Sequence, residues 1–319
     1  MQDLLRDMIF PALGGQTLDA AEDAAILEVP PGTLAFTTDS FVVKPLFFSG
    51  GDIGKLAVCG TVNDLAMVGA RPLYLTLGLI LEEGLPLDDL ERVLASVASA
   101  ARDASVKVVA GDTKVVEKGK ADGVYINTAG VGVIPDGTNV SITRVAPGDA
   151  LLINGYIGDH GMAVLKDRGD FAFEVALDSD CAPLAGLVSD MLAAGRVHAL
   201  RDPTRGGLAA ALKEMSSCSG VSLEVDEPAV PLREEVRAIC EVLGLDPLYV
   251  ANEGKLLAAV APGDAAAVLG AMKAHPLGRD AAVIGSAGAG KAGRVSLTGA
   301  MGSSRLLRMP SGEQLPRIC

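Results

Sequence analysis

Four aspartates stand where a folded chain could gather oxygen ligands: Asp23 in DAAEDAAIL, Asp39 in TTDSF, Asp64 in TVNDLAMVGA and Asp112 in AGDTKVV. Each lies at the end of an apolar strand-like run or beside a turn. A hard cation such as magnesium needs several oxygens from separate segments, and strand-end carboxylates are one way to supply them. Any one of these aspartates, taken alone, is more simply a helix cap or a turn former. Asn63 with Asp64 says more, because the pair falls in a stretch of helical spacing where side chains that compete with the backbone are locally unfavourable. Lys114, after Asp112 and Thr113, places an ammonium beside a candidate ligand, or forms an ordinary salt bridge.

A second group, Asp202, Thr204 and Arg205 in RDPTRGGLAAAL, leads through Gly206 and Gly207 into an Ala-rich helix. The N-terminus of such a helix favours an anion, although a capped helix start explains the same residues. Glu253 in YVANEGKLLAAV precedes an apolar strand, and Gly254 lets another backbone or a ligand come close. A carboxylate there can serve as a general base where partial burial raises its pKa. One pattern is rejected. GSAGAGKA at 285–292 matches the phosphate-loop spacing until Ala292 replaces the hydroxyl that would ligate magnesium, and the GRVSLTG that follows reads as a strand. A hairpin turn is expected there.

These residues need a scaffold, and the periodicities describe one. Strands are expected at 34–43, 71–81, 106–110, 123–134, 150–154, 221–225, 255–261 and 282–285. Helices are expected at 53–67, 87–101, 161–168, 183–194, 207–218, 230–243 and 263–274. The mixture defines an α/β or α+β protein, and TRVAPGD at 143–149 is the best linker candidate. The expected division is 1–146, 147–309 and a tail, 310–319, whose PSGEQLPRIC has no periodicity and should be extended and mobile.

With 319 residues, 49% apolar and 21% charged, the chain can bury a substantial core and is not disordered. A net charge of −13, four Tyr, seven Phe and no Trp argue against a nucleic-acid partner. No apolar run is long enough for a membrane span, and MQDLLRDMIF has no secretory pattern, so the expected location is the cytoplasm. Five cysteines without a CxxC pair argue against a zinc site or disulfide framework, and Cys59, Cys181, Cys218 and Cys240 read as small hydrophobes.

Spacing alone reaches a soluble α/β enzyme of metal and phosphate. The series TTDSFVVKPLFFSGGDIGKLAVCGTVNDLAMVGARP, GDTKVV, GDHG, RDPTRGGL, ANEGKL, HPLG and terminal PRIC resembles, in order and over essentially the whole chain, the HypE family of hydrogenase maturation factors. TDSF, ND and GDT alone indicate the wider ATP-binding superfamily of aminoimidazole ribonucleotide synthetase, selenophosphate synthetase and thiamine-monophosphate kinase. PRIC with ANEGKL singles out HypE.

The resemblance implies a two-domain aminoimidazole ribonucleotide synthetase-like fold whose N-terminal domain dimerises through a shared β-barrel, with an ATP cleft between the domains. It implies a carbamoyl group delivered by HypF to Cys319, dehydrated with ATP to a thiocyanate, and cyanide passed to iron on HypC–HypD for the [NiFe] site. By motif position Glu253 resembles the family's base and Lys114 its partner. Asp39, Asp64 and Asp112 resemble the Mg2+–ATP carboxylates, with Asp23 as a further metal ligand. Asn63, Thr113, Thr204 and Arg205 fall with the nucleotide. His160 in GDHG matches a family motif and reads either as a turn or as a catalytic residue, while Pro316 and Arg317 would set the path of a swinging arm. Only Gly14 and Gly15 represent the Gly-rich segment expected ahead of the first helix, which leaves open a short start or a nucleotide held by the remaining cleft. Two other readings remain: a kinase or synthetase of a free small molecule, and a thiol carrier without chemistry.

Overall fold

Alternation along the first long strand fixes the first layer. In β1 (Thr33–Phe41), Ala35, Thr37, Asp39 and Phe41 turn to one side, and Leu34, Phe36, Thr38 and Ser40 to the other. The computed structural model describes residues 8–13, 25–169, 175–309, 315 and 318. Asp23, Pro316, Arg317, Cys319, Gly14 and Gly15 lie outside the described residues. A small hairpin of β2 (Phe47–Phe48) and β3 (Gly51–Asp52) leads into helix α1 (Ile53–Met67), whose first turn is capped by Asp52 accepting from the Gly54 and Lys55 N–H groups at 2.8 and 3.0 Å.

β4 (Arg71–Glu82), β5 (Lys107–Val116) and β6 (Val124–Ile134) complete a four-stranded sheet in the order β1-β6-β4-β5. α2 (Leu87–Asp103) is amphipathic, and its buried Leu90, Val93, Leu94 and Val97 pack with α1 on one face of that sheet. The other face carries no helix among the described residues and shows Phe36 72% exposed and Leu34 57% exposed.

The second half builds a seven-stranded sheet from β7 (Ala150–Ile153), β8 (Val197–Arg201), β9 (Ser222–Asp226), β10 (Leu257–Val260), β11 (Ala282–Gly288), β12 (Val295–Thr298) and β13 (Ser304–Leu306). Its order is β13-β12-β9-β11-β7-β10-β8. The helices are α3 (Asp159–Arg168), α4 (Ala185–Ala194), α5 (Gly207–Ser219), α6 (Glu234–Leu243) and α7 (Ala265–Ala274). Both faces of the central strands are buried. Leu151, Ile153, Leu257 and Ala259 pack with α5, while Leu152, Ala258 and Val260 pack with α4 and α7.

Four expectations change. β5 does not stop at 110: parallel pairing with β4 carries it through Val116, so Asp112, Thr113 and Lys114 lie inside a strand. β8 was not anticipated, its five residues being too short for a clear alternation. α6 starts at Glu234, because Pro231 is held extended by the Ile157 N–H donating to its carbonyl at 3.0 Å. Finally, 289–294 is not a hairpin turn. β9 lies between β11 and β12, so the loop crosses it, with the Gly290 N–H donating to Ser222 Oγ at 3.0 Å. Cys59, Cys181 and Cys240 are buried free thiols as expected, whereas Cys218, near the end of α5, is exposed.

Candidate functional site

The helix-covered face of β1 gathers the first acidic group. Thr37 Oγ1 donates to Asp64 Oδ2 at 2.8 Å, tying the strand to α1. Burial pushes the Asp64 carboxyl up to about 6, and Asp202 and Asp39 add to the shift against Thr37 and Arg201. Asp39 is likewise raised by burial and by Asp202, opposed by the Ser40 N–H and by Arg205. Asp39, Asp64 and Asp202 therefore lie within electrostatic reach of one another, with Arg205 acting on Asp39, and together mark an acidic cleft; Asp202 thus joins the carboxylates instead of standing only with Thr204 and Arg205. Among the described residues, no three His, Cys, Asp or Glu side chains are placed to enclose a metal ion.

Glu253 lies deeper. It is 3% exposed, and its Oε1 has no hydrogen-bond partner among the described residues. Burial drives its carboxyl well above the ordinary range, with Asp180, Asp202 and Asp39 adding. Its backbone is clamped at both ends: the N–H donates to Asp180 Oδ1 at 3.0 Å, and the carbonyl accepts from Asn63 Nδ2 at 3.0 Å. Asn63 is thus not free to face a nucleotide. Its second amide hydrogen goes to the Ala182 carbonyl at 3.1 Å, and its Oδ1 accepts from the Leu184 N–H at 2.7 Å.

Gly254 follows because a Cβ there would sit 1.8 Å from the Asp180 carbonyl oxygen. Burial would raise Asp180, but Lys255, ion-paired at 3.0 Å, and the Glu253 N–H hold it below its ordinary value. Asn252, one residue before Glu253, is a structural anchor that motif position does not reveal. Its Nδ2 donates to the Pro203 carbonyl at 2.9 Å and its Oδ1 accepts from the Gly158 N–H at 2.7 Å, anchoring the loop that carries Asp202, Thr204 and Arg205. In that loop Gly207 has φ 62°, and a Cβ there would lie 2.5 Å from the Val250 carbonyl oxygen.

Asp112, Thr113 and Lys114 are not brought to this cleft within one chain. Asp112 and Lys114 are exposed on the helix-free face, opposite the side on which Asp39 packs. The row Ser40–Asn127–Gly78–Asp112 crosses the whole sheet, three strand spacings or about 14 Å. A period of two places neighbours on opposite faces, and only the strand's unexpected length reveals which face these residues take.

The chain's end returns to the cleft wall. Ile318, one residue before Cys319, is buried, forms an antiparallel bridge with Val43, and its carbonyl lies 2.5 Å from His160 Nε2. Leu315 packs beside Gly161. Where an extended arm was expected, two of its residues are seated, because Leu315 and Ile318 are apolar and fit between β2, α3 and the Ala251 segment.

Two family models cover the chain, the N-terminal domain of AIR synthase related proteins over residues 21–134 and the C-terminal domain over 146–298. Fold and cleft therefore define a two-domain AIR synthase-related protein. Within that class, carbamoyl dehydratase HypE of Rhizobium leguminosarum bv. viciae is 52% identical over 321 residues, covering all of this chain and 92% of the relative. The crystal structure of hydrogenase maturation protein HypE in complex with ATP matches at TM-score 0.95 and 49% identity, over 100% of this chain and 96% of that one. A HypE–HypF complex matches at TM-score 0.85 and 48% identity, over 96% and 99%. The chain belongs to the HypE family of carbamoyl dehydratases. That membership does not favour a kinase acting on a free small molecule.

Proposed function

We propose that the chain uses ATP to dehydrate an S-carboxamide on its own Cys319 to a thiocyanate, supplying cyanide for [NiFe] hydrogenase maturation. The observation that carries this reading is the seat of Ile318. His160 holds its carbonyl, Ser179 bonds His160, and the adjoining Asp180 holds the Glu253 N–H, so one continuous wall links the chain's end to the buried carboxylate.

Amide oxygen is a poor leaving group, and ATP supplies the phosphoryl group that lets it depart as phosphate. The nitrogen gives up two protons in all, one as oxygen is phosphorylated and one as phosphate leaves. Glu253, with its affinity for protons raised by burial, would accept a proton from nitrogen when in its ionised form. Magnesium keeps several waters and takes one or two carboxylates with phosphate oxygens. Asp39, Asp64 and Asp202 suit that role, their crowding being what a cation would relieve. Thr204 and Arg205 border the same cleft and would meet phosphates.

The site needs a second copy of the chain. Leu34, Phe36 and Ile80 leave an apolar, helix-free sheet face exposed, and Asp112 and Lys114 lie on it. Pairing two such faces in a homodimer would bury them and bring Asp112 and Lys114 of the partner subunit toward a cleft that they cannot reach in their own chain. HypF would load Cys319, as its complex with a relative supports, and HypC–HypD would accept the cyanide. No described helix is long and apolar enough to cross a membrane, and we place the reaction in the cytoplasm.

The test is the mass of the C-terminal peptide after incubation with HypF, carbamoyl phosphate and Mg–ATP, with and without a non-hydrolysable ATP analogue. Carbamoylation of Cys319 followed by loss of one water, only with hydrolysable ATP, is expected. An unmodified Cys319 beside a demonstrably active HypF would overturn the reading.

A further inference from the structure

We propose that His160 is the latch that seats the C-terminal arm, a positioning residue whose Nε2–H grips the Ile318 carbonyl and so sets the register in which Cys319 meets Glu253. The inference rests on the function proposed above.

His160 is the second residue of α3 and is fully buried, its ring edge-on to Phe48 at 5.5 Å. Its Nε2 lies 2.5 Å from the Ile318 carbonyl oxygen and its Nδ1 lies 2.8 Å from Ser179 Oγ. A carbonyl can only accept, so Nε2 carries the hydrogen. The neutral ring then leaves Nδ1 an acceptor, and the Ser179 hydroxyl must donate to it. Ser179 Oγ in turn accepts from the Cys181 N–H at 3.1 Å, and the Ser179 N–H donates to the Ser49 carbonyl at 2.8 Å. Every donor points the same way, from Cys181 through Ser179 and His160 to the arm. Burial holds the imidazole below its ordinary pKa and so favours the neutral ring, while the Ile318 carbonyl selects the tautomer.

The partner is what separates a latch from a structural histidine. A ring that only stabilised α3 would bond a fixed internal carbonyl, whereas this one ends its chain of donors on the terminal segment. It reads main chain, not side chain, so the grip is indifferent to what the thiol carries. It fixes only how far along the arm the thiol lies.

The experiment uses the full chain with HypF, carbamoyl phosphate and Mg–ATP, following loading and dehydration of Cys319 separately by mass, and alkylation of unloaded Cys319 by iodoacetamide. Loss of one hydrogen bond to the arm should shift seating about tenfold. His160→Ala should therefore dehydrate loaded Cys319 more slowly and alkylate faster, the two fold-changes multiplying to about ten and each about threefold near even seating, with loading undiminished. His160→Gln, which keeps an N–H donor, should recover part of both, and Ser179→Ala should fall between. Should His160→Ala fail to fold, the other two variants carry the test. Wild-type rates of dehydration and alkylation in all variants, or an equal loss of loading and dehydration, would overturn the latch. An unmodified Cys319 in the wild-type chain overturns the dehydratase reading instead, and the alkylation arm, which needs no activity, still decides the latch.

Discussion

Asn63 offers the sharpest test of how the cleft is assembled, because motif position puts it beside the nucleotide and the structure commits its amide elsewhere. Its two hydrogens and its oxygen satisfy the Ala182 carbonyl, the Glu253 carbonyl and the Leu184 N–H at 3.1, 3.0 and 2.7 Å. Asn63→Ala would strand all three, each at a cost of about 1–3 kcal/mol, and partial relaxation brings the expected loss to about 3–5 kcal/mol. Asn63→Asp keeps the shape but turns an oxygen toward two carbonyl oxygens. The introduced carboxyl is then forced to hold a proton when folded, with its pKa raised above the ordinary aspartate value. Above that value the folded state binds more protons than the unfolded one, so this variant loses stability as pH rises and regains it as pH falls. At neutral pH it should be worse than Asn63→Ala. Urea denaturation across pH, beside ATP affinity by calorimetry, reads both effects. Wild-type stability in Asn63→Ala together with lost ATP affinity would refute the reasoning and return the side chain to the nucleotide.

Glu253→Gln should slow dehydration by about 10²–10⁴-fold while leaving Cys319 loading intact, read by the mass of the C-terminal peptide. Because the buried Glu253 carboxyl titrates well above its ordinary range, its cost to stability grows as pH rises, and the gain in denaturation midpoint from Glu253→Gln should be larger at pH 8 than at pH 5. Gly254→Ala must displace the Asp180 carbonyl, 1.8 Å from the new Cβ, and should cost at least about 1–3 kcal/mol and most of the activity, both measurable on purified protein. Co-expressed Lys114→Ala and Glu253→Gln chains should recover activity in mixed dimers, since one of the two clefts then draws both native residues; no recovery would place Lys114 with its own chain's Glu253. Phe36→Asp should weaken association, seen by sedimentation, and dehydration with it.

The sequence carried the elements further than it carried their spatial partners. Helices α1, α2, α4, α5 and α7 were legible because each has an apolar stripe or a clear stop, such as Gly69 after α1. The chemistry-bearing motifs were legible as residue types. What was hidden depends on pairing between distant segments. Whether Asp112 shares a face with Asp39 is decided by the register of β5 on β4 and of β6 on β1, which no local pattern records. Asn252 and Asn154 escaped notice for the same reason. Their worth lies in satisfying buried carbonyls 49 and 100 residues away, and an asparagine beside an apolar strand looks like any turn former. Asp180, which holds both Glu253 and Lys255, sits in a stretch without periodicity and gave no signal at all.

An arm that must leave for HypF and return can be held neither too loosely nor too well, and the seat of Ile318 has that scale. Burying an isoleucine is worth about 1.5–3 kcal/mol and a neutral hydrogen bond about 1 kcal/mol. Ordering the backbone costs about 1–2 kcal/mol for every residue fixed, so a few residues cancel the gain. Near that balance, each further 1.4 kcal/mol shifts the seated population about tenfold. A charged latch paired with a buried carboxylate would hold the arm against release, and its strength would answer to every nearby charge that nucleotide binding changes. A neutral imidazole gripping main chain avoids both. The neighbouring ion pair of Asp180 with Lys255 is spent on Glu253 instead, where the cleft must stay rigid while the arm moves.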